Sequence, residues 1–219
     1  MTASRAAQNP AVPPYLAGLC DDAALFPPGS APVVAAVQAH RVHRAAWYAD
    51  LVGPFLLGPD TIAETGAAAG DTPLDVVLVV RAGPAALAGA LADLAAWPAL
   101  RPVGVELGPD GDGTPAEAAA RGAAALDRLL PPGAGGVLEV RRGPGLEAAL
   151  DAVAATPYRA KYRTGGLTAA DFPRPPSWPA SSPGARAAAW PSNAPRGCTR
   201  RSGTPTRRPA SPTTASSTC

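Results

Sequence analysis

Lys161 is the single lysine of a 219-residue chain that otherwise uses arginine, eighteen times. The difference matters chemically. A lysine withdrawn from water can lose its proton and attack a carbonyl to form a Schiff base, whereas arginine stays charged. The same ammonium also suits a phosphate or carboxylate contact, or a structural ion pair. Arg163, Thr164, Gly165 and Gly166 follow at once. Adjacent glycines free the backbone to bring amide protons to an anion, and Thr164 adds a hydroxyl. A tight turn into a helix would use the same two glycines. Carboxylates for acid–base work stand at Asp21-Asp22, Glu106 and Glu139, and Arg81 offers a second cation. Paired carboxylates push their pKa values apart. Strand neighbours point to opposite faces, so one of the two aspartates is expected to face the site, and Asp22 is assigned that place.

These residues fall at the ends of expected strands. Leu16 to Phe26 reads as a strand entering a Pro27-Pro28-Gly29 loop. Residues 31–51 read as helix, with Val34, Val37, Val42, Ala45 and Tyr48 at three-to-four spacing. Short apolar strands are expected at 53–57, 74–80, 102–107, 136–140 and 158–162, and helices at 84–96, 114–130 and 145–155. Thr114, Pro115 and Glu117 have the spacing of a capping box. Strands alternating with helices predict a parallel sheet covered by helices. Six strands fit an incomplete (βα)8 barrel, with an open doubly wound sheet as the alternative. Barrel sites are built at the carboxyl ends of strands, and Asp21, Asp22, Arg81, Glu106, Glu139, Lys161, Arg163 and Thr164 all fall there. His40 and His43 have a spacing that suits two metal ligands, but beside Arg41 and Arg44 they are expected on a solvated basic face. Trp47 and Tyr48 are expected to pack on the sheet. No metal and no cofactor is expected.

Composition changes abruptly near residue 172. From Phe172 onward there is no Asp, Glu, Leu, Ile, Val or Met, while seven arginines and ten prolines appear. From Pro173 to Cys219 every residue except Asn193 requires G or C at the middle codon position. A GC-rich gene read one base out of register produces that pattern, because its silent third position then becomes the middle one. The expected organisation is a flexible segment over 1–14, a barrel-like domain over 15–172 and a disordered, out-of-frame tail over 173–219. Undoing the slip recovers two strand-like stretches, which would bring the strand count to eight.

The shift also corrects the charge. Residues 1–171 hold all 17 acids but only 12 of the 19 bases, so the body is acidic although the chain carries +2. The basic balance is therefore no argument for nucleic acid. Only Cys20 lies outside the tail, which excludes a disulfide framework. No apolar run reaches the roughly 18 residues of a membrane span, and a cytoplasmic protein with a small-molecule ligand is expected.

Leu19 to Gly29 (LCDDAALFPPG), Ala39 to Phe55 (AHRVHRAAWYADLVGPF) and Ala160 to Gly166 (AKYRTGG) resemble an uncharacterised actinobacterial protein family. Its members carry a Lys-[Phe/Tyr]-Arg-Thr-Gly-Gly strand end, standing here at Lys161 to Gly166. A looser resemblance is to class I aldolases of the deoxyribose-phosphate type, through Lys161, Thr164 and Gly165. That likeness implies a barrel with a Schiff-base lysine and a second lysine on the next strand. This chain lacks the second lysine. The expectation is an aldolase-like lyase for a small oxygenated or phosphorylated carbonyl compound, inactive in this incomplete and poorly soluble form. Lys161, Asp22, Glu106 and Glu139 would do the chemistry, and Arg81, Arg163, Thr164, Gly165 and Gly166 would hold the anion. A non-catalytic barrel for a small anion and a product without function are the alternatives.

Overall fold

The computed structural model describes residues 11–163 except 112. Six strands, β1 (Cys20–Asp22), β2 (Val52–Leu57), β3 (Leu74–Val80), β4 (Leu100–Leu107), β5 (Gly135–Val140) and β6 (Arg159–Tyr162), pair in sequence order, every pair parallel. Between them run α1 (Val33–Ala45), α2 (Ile62–Ala69), α3 (Leu87–Ala95), α4 (Pro115–Leu129) and α5 (Leu146–Ala154). Unbroken order decides between the two expected architectures. A doubly wound sheet reverses its order at a switch point so that helices cover both faces. Here the helices all return to the same face, where they share one core. The sheet is a curled half-barrel, an incomplete (βα)8 barrel.

Its two faces differ. Phe55, Leu57, Val76, Leu78, Val80, Val105 and Leu107 alternate along the strands onto the convex face. There they meet Val37, Ile62, Leu87, Leu94 and Leu126 of the helices, and none of these twelve is more than 2 % exposed. Sealing each large side chain contributes about 1.5–3 kcal/mol, so this layer holds the sheet to its helices. The concave face carries a smaller cluster of Leu56, Val77 and Val79, with Phe26 from the loop after β1 packed against it.

Several boundaries differ from expectation for local reasons. β1 is three residues long rather than eleven. The helix expected over 31–51 ends at Ala45, and Ala49–Leu51 form a single 3-10 turn. Its buried stripe is Val33, Ala36, Val37 and His40, while Val34 and Val42 are exposed. Trp47 is also exposed and stands edge-on to Tyr48 instead of packing on the sheet. Helix α2 had no periodic apolar signal in a short Ala/Gly-rich segment. It docks because Gly66 leaves room for the Trp97 indole, which lies where a β-carbon on Gly66 would project. The capping box before α4 forms as expected: Thr114 Oγ1 accepts from the Glu117 amide at 3.3 Å, and the Thr114 amide donates to Glu117 Oε2 at 2.8 Å. The expected tail over 173–219 lies outside the described residues.

Candidate functional site

Alternation along each strand decides which charged side chains share a surface. In β4 and β5, Val105, Leu107, Leu138 and Val140 belong to the convex core, so Glu106, Val137 and Glu139 face the concave side. In β6, Ala160 and Tyr162 pack on the convex core, leaving Arg159 and Lys161 concave. The register sets Arg159 beside Val137 and Lys161 beside Glu139. Glu106, Glu139 and Lys161 all lie near the carboxyl ends of their strands, where a barrel site is expected.

Lys161 Nζ donates to Glu106 Oε2 across the intervening strand β5, forming an ion pair. The Glu106 side chain is 9 % exposed and that of Lys161 33 %. The carboxylate is thus sealed in the sheet while the amine retains an open side. A sealed carboxylate needs a partner, because isolating one from water is costly. Lys161 supplies it.

The fourth strand to contribute is β1, through Asp21. Burial pushes the Asp21 carboxyl up to about 6, with the Glu106 charge adding to the rise and Lys161 and Arg159 opposing it. That these groups act on one another is evidence of the curl. In a flat sheet β1 and β6 would lie about 24 Å apart, at roughly 4.8 Å per strand, well beyond the Debye length of about 8–10 Å. Gly53 on β2 makes space for this carboxylate, since a β-carbon there would run into it. Burial also holds the Arg159 guanidinium below its ordinary value, while Asp21 and Glu106 work against that fall.

Asp22, the aspartate assigned to the site from sequence, faces the other way. His40 Nδ1 of α1 lies 2.9 Å from Asp22 Oδ2, and the Ala24 amide donates to Oδ1 at 3.1 Å. A carboxylate can only accept, so Nδ1 carries the proton. Burial alone would raise this carboxyl. The bonds from His40 and Ala24, with the charges of His40 and His43, outweigh it and hold Asp22 below the ordinary carboxylate value. His40 is itself buried, edge-on to Phe55 with ring centroids 5.4 Å apart. The expected solvated histidine pair is therefore corrected: His40 joins the core, and His43 Nδ1 meets the Tyr48 hydroxyl at 2.9 Å. Among the described residues no cluster of three or more metal-ligating side chains occurs.

The rim cations are engaged as well. Arg81, just past β3, places its guanidinium 5.0 Å over the Phe26 ring. Arg163 lies 3.5 Å from Glu139. Arg121 makes two bonds to the Asp110 carboxylate, whose backbone carbonyl accepts from Arg141. Thr164, Gly165 and Gly166 lie outside the described residues. A depression between Thr114 and the end of β5 encloses about 20 Å³, space for a water molecule only.

Comparison with protein-family models, with curated proteins and with solved structures gives no match. Among the described residues no helix is long and apolar enough to cross a membrane. The site's own chemistry carries the functional argument.

Sequence reasoning named Asp21 with Asp22 but chose Asp22 for the site, and it missed Arg159 and the Asp22–His40 pair. The signal for the pair was present: His40 completes the stripe Val33, Ala36, Val37 at helical spacing. Arg159 was recoverable from its two-residue spacing to Lys161.

Proposed function

We propose that this half-barrel forms a Schiff base with a small carbonyl compound through Lys161, as the body of an aldolase-like lyase. The observation that carries the reading is the Lys161–Glu106 pair, a half-open amine set on a sealed carboxylate at the carboxyl ends of a parallel sheet. Glu106 takes the proton of the Lys161 ammonium. The freed amine then attacks the carbonyl carbon, its second proton passes to the oxygen, and a carbinolamine results. Asp21, with a carboxyl pushed up to about 6, exists in both protonation states near neutrality and faces the same space. It donates a proton to the departing hydroxyl, water leaves, and the iminium cation stays beside the Asp21 carboxylate. Glu139, in register with Lys161, is the further carboxylate available for proton transfer. The Lys161-x-x-Thr164-Gly165 likeness to class I aldolases supports the assignment. Imine formation asks of the protein only an amine and a proton shuttle, and the six strands carry groups for both. Carbon–carbon cleavage asks for more, so the reading is of imine formation by this chain.

The anion-binding alternative has less support, because Lys161 and Arg163 already face carboxylates and Arg81 faces a ring.

Trapping tests the reading directly. With a small aldehyde and cyanoborohydride, peptide mapping should find a secondary amine at Lys161, formed at least tenfold faster than on Nα-acetyl-lysine. Lys161→Arg should abolish that adduct and leave the slower reaction of the α-amino group. A Lys161 rate equal to that of the free amino acid would dismiss the Schiff-base role.

A further inference from the structure

Resting on that Schiff-base reading, we propose that the carbonyl compound taken by Lys161 is an unphosphorylated aliphatic or aromatic aldehyde or ketone, whose apolar substituent lies against Leu56, Val77 and Val79.

The concave face is divided. Strands β2 and β3 present Leu56, Val77 and Val79, which stay 6–8 % exposed where the convex side chains of the same strands are nearly all fully sealed. Strands β4 to β6 and β1 present Glu106, Glu139, Arg159, Lys161 and Asp21. Val79 stands in register beside Glu106, the partner of Lys161, so the aliphatic cluster under Phe26 begins one strand away from the reacting amine. Phe26 packs on the same three residues and extends that wall toward the mouth, under the Arg81 guanidinium.

Charge argues in the same direction. Asp21, Glu106 and Glu139 stand against Lys161 and Arg159 on this surface and Arg163 at its edge. Lys161 is turned to Glu106, Arg163 to Glu139, Arg121 and Arg141 are held by Asp110, and Arg81 lies over Phe26. A phosphate would bring about two negative charges to cations that are already engaged. A polyhydroxylated chain would set its hydroxyls against Leu56, Val77 and Val79, which offer no partner for them. An alkyl or aryl group loses nothing there, and a hydrophobic surface typically gains about tenfold per methylene.

The experiment compares trapping rates at Lys161 for butyraldehyde, glyceraldehyde and glyceraldehyde 3-phosphate. Each rate is divided by that of the same compound with Nα-acetyl-lysine, which removes intrinsic reactivity. The expected order is butyraldehyde first by at least tenfold, then glyceraldehyde, with the phosphate last. Val79→Thr, nearly the same shape but polar, should cut the butyraldehyde advantage at least threefold. Phe26→Leu reports on the same wall from the loop if the strand variant does not fold. Equal rates, or preference for the phosphate, overturn the substrate class while leaving the Schiff base standing. An advantage that survives the Val79 and Phe26 changes also overturns it. No selective adduct from any of the three removes the Schiff base, and the substrate class with it.

Discussion

Asp21 and Asp22 are adjacent in sequence and serve opposite sides of one strand. Asp22 turns to α1 and accepts from His40 at 2.9 Å, while Asp21 turns to the concave face and feels Glu106, Lys161 and Arg159. Their carboxyls shift in opposite directions, one below the ordinary 3.8 and the other up to about 6. The pair therefore gives two predictions of opposite sign.

Asp22 ionises more readily in the folded protein than in the unfolded chain. Its contribution is complete above the ordinary value of 3.8 and is lost as pH falls through its lower folded value. In urea titrations, Asp22→Asn should flatten the loss of stability on the acid side. His40→Ala should cost about 2 kcal/mol at pH 7, the scale of a charge-assisted hydrogen bond with a partner left behind. An unchanged acid limb in Asp22→Asn would show that the bond contributes nothing.

Asp21 holds its proton more tightly in the folded state. Stability should therefore decline as pH rises from the ordinary 3.8 to about 6, and stay reduced above that. Asp21→Asn removes the decline. Because the group is only partly sealed, the gain at pH 7 should be modest, about 1 kcal/mol or 2–4 °C in Tm. The same variant should slow trapping at Lys161, so a lower Tm at pH 7 would contradict the placement.

Glu106→Gln keeps the shape and removes the charge that receives the Lys161 proton. Trapping at Lys161 should slow by about 10²-fold, the lower range for a positioned general base. The pH dependence of that rate should also change form, which a mere packing defect would not produce.

Gly66→Ala tests how α2 is fastened. A β-carbon at this position meets the Trp97 ring. The expected cost is about 1–3 kcal/mol, as for other overpacked contacts, with trapping at Lys161 retained. Thermal melts read the cost, and the cyanoborohydride trapping rate at Lys161 reads the second effect.

Much of the fold was legible because its signals are periodic and redundant. Leu74–Val80 and Pro115–Leu129 match their expected spans within a residue or so, the first a fully apolar parallel strand and the second a capped amphipathic helix. Helix α2 was hidden because Ala and Gly repeats carry no stripe, and its position is set by Trp97 packing. The site was half legible. Lys161, Glu106 and Glu139 could be named from strand ends, but their partners depend on which neighbours curl into reach. No local rule distinguishes Asp21 from Asp22 in a three-residue strand. That choice is made 18 residues away, where His40 completes the buried stripe of α1.

A sheet whose strands lie in the order of synthesis has a consequence for how it is built. Each newly made strand finds its neighbour already in place, one helix back along the chain, so structure can grow from one end without waiting for distant segments. The ladders of such an array are additive. Losing a terminal strand–helix unit removes one backbone ladder, much as a stack of plates loses height. It also takes away Asp21, or Lys161 and Arg159, which meet across the curl.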